Sequence, residues 1–127
     1  NPNPNPKPPP PTVVMTLKDT DDGTFAVVDI DGHSVNRPVD VTFPLRTPVQ
    51  IVNGSPKDCS FLFVNGPGPG QPGFPTLAEG DNNVNLSRDG GTVTIMGPEE
   101  QTSYPPFLCA GDETKSEAFT IRFGSAQ

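Results

Sequence analysis

From Val13 onward, apolar and polar side chains alternate in short runs, the period-two pattern of half-buried strands. Val13, Met15 and Leu17 alternate with Val14, Thr16 and Lys18, and Asp19-Thr20-Asp21-Asp22-Gly23 then supplies turn chemistry. Residues 24–30 resume in β-branched and aromatic side chains, so this stretch predicts a hairpin. Phe25, Val27 and Asp29 would share one of its faces. Asp31-Gly32 turns the chain again. Residues 39–43 alternate until Pro44 ends the strand, and residues 49–52 follow, closed by Asn53-Gly54. Residues 60–64 are apolar on both faces, as a central strand beside Cys59 would be. The Gly- and Pro-rich stretch 66–81 sustains neither helix nor ladder and predicts a long loop. Further short strands are expected at 84–86, 92–96, 107–109 and 119–123. No window repeats apolar residues at helical spacing with caps, so little or no helix is expected.

Eight or so short strands with turns between them predict an all-β fold, a single two-sheet β-sandwich of Greek-key, jelly-roll or Ig-like type. The immunoglobulin hallmarks themselves are missing: the chain has no Trp, and Tyr104 precedes Cys109 by five residues rather than two. Two segments differ in kind. Residues 1–12 form a Pro-rich arm of polyproline II character, and residues 13–127 form the sandwich domain. An arm of eleven such residues would reach about 34 Å, comparable to the domain itself.

Composition sharpens the picture. Eighteen prolines and 13 glycines make the chain turn-rich, while 31% hydrophobic residues leave a modest core. Fifteen acids against 8 bases give a net charge of −7 with no Lys/Arg cluster, which excludes attraction to nucleic acid or to an anionic membrane. No apolar run is long enough to span a membrane as a helix. Cys59 and Cys109 stand 50 residues apart, too far for a CxxC redox or zinc pair. A disulfide between them is expected, contributing roughly 4 kcal/mol in the chain-entropy model and indicating an extracellular or cell-surface protein. The sequons at Asn85 and Asn53 are candidate glycosylation acceptors, the latter weakened by Pro56.

Asp19, Asp21 and Asp22 before Gly23 are candidate metal ligands, and Ca²⁺ is the ion such an acidic turn would suit. The match to an EF-hand loop is incomplete: counting from Asp19, the twelfth position holds Ile30, and Gly23 stands fifth rather than sixth. No other cofactor is expected. With His33 as the sole histidine, neither a copper centre nor a nucleophile–base pair has its ligands or its base, so no catalysis is expected. Phe107 is assigned to the core, while Phe74, Tyr104, Asn82 and Asn83 are available to a glycan.

The expected function is that of a non-catalytic structural or interaction protein of the cell exterior. It would be a subunit of a surface assembly or filament that self-associates through its arm or an edge strand. The partner-binding residues would be Pro2, Pro4, Pro6, Pro8, Pro9, Pro10 and Pro11, continuing into Val13, Met15 and Leu17. The alternative is a secreted adhesion module that binds glycan or Ca²⁺.

Overall fold

The computed structural model describes residues 10–111 and 115–124. Among them there is no helix, and the fold is all-β. The strands are β1 (Val13–Asp19), β2 (Thr24–Ile30), β3 (His33–Ser34), β4 (Asp40–Phe43), β5 (Val49–Asn53) and β6 (Cys59–Phe63). They continue as β7 (Asn85–Leu86), β8 (Thr92–Ile95), β9 (Thr102–Ser103), β10 (Phe107–Ala110), β11 (Lys115–Ser116) and β12 (Thr120–Phe123). The alternating runs predicted nine of these. The three missed, β3, β9 and β11, are two residues each and too short to show a period.

One sheet runs β11-β2-β1-β5-β8, with β3 also on β2. Residues 76–78 extend it beyond β8 through the Leu77–Ile95 bridge, in which Ala78 N–H donates to Thr94 O and Met96 N–H donates to Thr76 O. The remaining strands form two three-stranded pieces, β10-β6-β7 and β4-β12-β9. The pieces join where Phe107 and Phe119 exchange both backbone hydrogen bonds at 2.8 and 2.9 Å. β9 and β10 therefore act as one strand lying antiparallel to residues 119–123. Tyr104-Pro105-Pro106 interrupts it and shifts the register by one residue, because neither proline has an N–H to give the ladder.

A single core lies between these layers. Met15, Leu17, Val49, Ile51, Val93 and Ile95 come from the first sheet, and Phe61, Phe107, Phe119, Ile121 and Phe123 from the second. Along β5 and β6 every second residue is buried, as alternation requires.

Two expectations about faces are corrected. Met15 and Leu17, assigned to a partner, are 0% and 1% exposed. β1 is a central strand, antiparallel to β2 and parallel to β5, so its inward side chains belong to the chain's own core. Asp29 does not share a face with Phe25 and Val27. Thr16 pairs with Asp29 and Leu17 with Val27, so Val28 is the extra residue of a bulge. Beyond it the phase reverses: Ile30 packs against the core, opposite Met15, and Asp29 turns outward beside Thr16.

The Asp31-Gly32 turn is a type I′ hairpin. Both residues have positive φ, 52° and 81°, and His33 pairs directly with Ile30. At Gly97 a Cβ would lie 2.4 Å from Thr47 O, so only glycine lets the chain leave β8 across the Arg46 turn.

Candidate functional site

The deepest departure from strand geometry lies at one end of the sandwich, where two irregular segments face each other. Residues 66–73 cannot pair because prolines remove donors and glycines favour turns. They fold on themselves instead: Gln71 N–H donates to Gly68 O, Gly68 N–H donates to Gln71 Oε1 at 3.0 Å, and Phe74 N–H donates to Gln71 O. Phe74 anchors this loop by meeting Phe61 and Phe63 edge-on, with centroids 6.2 and 5.2 Å apart. Opposite it, the interruption between β9 and β10 carries Tyr104, whose ring packs against Phe63, Phe107 and Phe123. Burial raises the Tyr104 pKa above its ordinary value.

Between the two segments lies an open cleft of about 540 Å³ lined by Pro67, Pro72, Phe74, Tyr104 and Pro105, with Thr102 and Ser103 supplying polar edges. Pro72 and Pro105 are exposed, whereas Phe74 and Tyr104 are half-buried and offer only part of their surface. No charged side chain lines the cleft, but Glu99 and Glu100, both exposed, lie just upstream of Thr102. This surface of proline rings and aromatic edges suits a ligand with flat apolar groups.

The sequence-assigned residues fall elsewhere, and mostly apart. Cys59 and Cys109 form the expected disulfide, with Cα atoms 5.4 Å apart and both residues buried. They sit on adjacent strands of one sheet, diagonally, because Cys109 lies opposite Phe61. Pro2, Pro4, Pro6, Pro8 and Pro9 lie outside the described residues. Pro11 is exposed, and Val13 N–H donates to Pro48 O at 2.9 Å.

Asp19, Asp21 and Asp22 do not converge on a point, and no group of three or more His, Cys, Asp or Glu side chains among the described residues could hold a metal ion. The turn uses Asp22 itself: its carboxylate accepts from Thr20 Oγ1 and from Thr24 N–H. The Thr20 hydroxyl, with the Thr24 amide next in weight, holds its pKa down at about 2.

The two sequons separate sharply. Asn85 is exposed on β7, where its Oδ1 accepts from Ser60 Oγ at 2.7 Å beside a polar cleft of about 370 Å³ that Asp58 and Ser87 also line. Asn53 is 0% exposed and is corrected as an acceptor. Its Nδ2 donates to Lys57 O at 2.8 Å and to Leu86 O at 3.1 Å, while its Oδ1 accepts from Ser55 N–H. A sugar on that nitrogen would break a bond and find no space. Asn53 instead joins the layers, since it lies on β5 while Leu86 lies on β7.

Phe107 is core at 0% exposure; of the residues offered to a glycan, Phe74 and Tyr104 lean inward, and only Asn82 and Asn83 stand exposed. Asn83 Nδ2 donates to Glu79 O. The cleft was missed because its walls are far apart in the chain; the cue present was Tyr104-Pro105-Pro106, a strand-breaking aromatic–proline step between two strand-like runs.

The sheet edges are guarded. β3, β7 and β11 have two residues each, and β4 has four and ends at Pro44. Beyond residues 76–78, Glu79 takes both Thr94 N–H at 2.7 Å and Thr94 Oγ1 at 2.8 Å, closing that ladder with a carboxylate. Among the described residues no helix is long and apolar enough to cross a membrane. The chain matches no protein-family model, and a search of curated proteins finds no relative.

Proposed function

We propose that this protein is a non-catalytic interaction subunit of the cell exterior, in which a disulfide-stapled sandwich serves as a rigid block and the Pro-rich N-terminal arm engages a neighbouring molecule. One observation carries the reading. β1, which directly follows the arm in the sequence, is clamped in the middle of the first sheet with Met15 and Leu17 in the core. An arm rooted there passes any load into β2 and β5, which flank β1 on both sides, rather than peeling an edge. The guarded edges argue for the arm over edge-strand pairing as the joint. The buried disulfide supports an oxidising compartment, hence the cell surface or extracellular space.

The test is the mass in solution, by light scattering, of the full chain and of a form lacking residues 1–12. Large species from the full chain alone, with a folded monomer from the shorter form, are expected. An oligomer that persists without the arm would sink the arm-mediated reading.

A further inference from the structure

We infer that the cleft between Pro72 and Tyr104 is the receptor for the N-terminal arm of a second copy of this chain. The inference rests on the proposed function and names its joint. The chemistry of the two surfaces is matched. The arm, Asn-Pro-Asn-Pro-Asn-Pro-Lys followed by four prolines, favours polyproline II, a conformation with little left to lose on docking and few backbone donors to satisfy. Grooves that take such segments are walled by aromatic and proline rings, and the cleft offers Phe74 and Tyr104 between Pro67, Pro72 and Pro105. Charge agrees as well: within residues 1–12 the only charged side chain is Lys7, and the exposed Glu99 and Glu100 lie just upstream of Thr102 at the cleft's edge, where Thr102 Oγ1 donates to Glu100 O.

The choice of a second copy over the chain's own arm follows from where the arm begins. Val13 lies at the end of β1 that pairs with Val49, and Val49 pairs with Ile95, which bridges Leu77. The arm's base and the cleft loop therefore share one end of the first sheet. To enter its own cleft the arm would have to turn sideways at once across β5 and β8. Pro8 to Pro11 oppose that turn, because each fixes φ and holds the residue before it extended. Four prolines in a row favour a stiff, extended spacer of about 12 Å over a turn back onto the domain that bears them. Insertion into the next copy is head-to-tail, so the assembly grows as an open chain unless the rotation closes it.

The experiment measures self-association of the full chain by sedimentation over a wide concentration range. It is repeated with Pro72→Glu, with Pro105→Glu, and with an excess of a synthetic peptide of residues 1–12. Pro72 and Pro105 are exposed, so neither change disturbs the core, and unchanged urea unfolding verifies this. Association at least tenfold weaker in both variants and in the presence of peptide is expected. Association of the full chain that persists against either the variants or the peptide overturns the cleft as receptor but leaves the proposed function standing. A full chain that is monomeric at every concentration overturns both.

Discussion

The two sheets reach the same core by different chemistry. The first uses long registers and aliphatic alternation: β1 and β5 pair over five residues, β5 and β8 over four, and Met15, Leu17, Val49, Ile51, Val93 and Ile95 fill the inner face. The second is made of short strands broken by prolines, and aromatic rings with a disulfide hold it. Phe107 stacks between Phe61 and Phe63, with both centroids 4.7 Å away, and also touches the rings of Phe119 and Tyr104. Where the ladder is interrupted, side-chain area replaces backbone pairing. That substitution frees residues 102–105 to form one wall of a cleft while the layer stays intact.

The largest expected effect comes from removing the centre of the ring cluster. Phe107→Ala should cost about 3–5 kcal/mol, a large share of a small domain's stability, because the cavity lies among rings already fixed by one another. An isomeric change at the equally buried Ile51 of the first sheet, Ile51→Leu, should stay below about 1.5 kcal/mol, since an aliphatic wall can repack. Urea unfolding of both variants measures the contrast, and equal losses would erase it.

Next comes the staple. Replacing Cys59 and Cys109 together by Ala should cost about 2–4 kcal/mol, close to the value expected for constraining a loop of this length in the unfolded chain. The loss should appear in the urea midpoint. In hydrogen exchange, amides of β6 and β10 should lose more protection than those of β1 and β5. A uniform loss would mean that the two sheets do not differ in what holds them.

The long strands of the first sheet were the easiest to read from sequence, for the same reason. Its strands are long enough for Val13-Met15-Leu17 and Val49-Ile51 to declare their period, and Asp31-Gly32 declared a turn that proved to be type I′. The exceptions in that sheet are β3 and β11, two residues each and too short to show a period, and the faces of Met15, Leu17 and Asp29. Asp29 was misassigned because a bulge at Val28 reverses the alternation, and a bulge inside a β-branched run leaves no mark in the pattern. In the second sheet the anchors Phe61, Phe107 and Cys109 were legible. β9 was not, because two residues ahead of Tyr104-Pro105-Pro106 have no period. The disulfide was predicted from its two cysteines, yet its diagonal placement within one sheet depends on register, which spacing does not encode. The cleft joins residues 67–74 to residues 102–105, and such a juxtaposition exists only once both strands are placed.

Asn53 tests how the sheets are tied to each other. Asn53→Ala removes the donor to Leu86 O on the opposite layer and leaves that carbonyl, with Ser55 N–H, in need of partners. A loss of about 1–3 kcal/mol is expected, because buried polar groups stripped of a partner keep their desolvation penalty. Asn85→Ala changes an exposed residue and should shift the urea midpoint hardly at all. In material from a glycosylating host, that variant should also lose any mass step on glycosidase treatment, whereas Asn53→Ala should leave the step unchanged.

The smallest effect belongs to the turn that opens the first sheet, and it is readable only through pH. Asp22 has its carboxyl held at about 2 in the folded chain against an ordinary value of 3.8, chiefly by the Thr20 hydroxyl and then by the Thr24 amide. A lowered folded-state pKa means that the ionised form is favoured by folding. The contribution is therefore fully present above about pH 5 and is lost as pH falls through 3.8 toward 2. Asp22→Asn should flatten the acid limb of thermal stability in that window and leave the melting temperature at pH 7 only slightly lower. The turn is exposed and at the far end of β1 from the arm, so self-association should not change. A variant whose acid limb matches the parent would remove Asp22 as the titrating group and put the acid sensitivity in another carboxylate, with Asp58, held low by Arg88, the next to substitute.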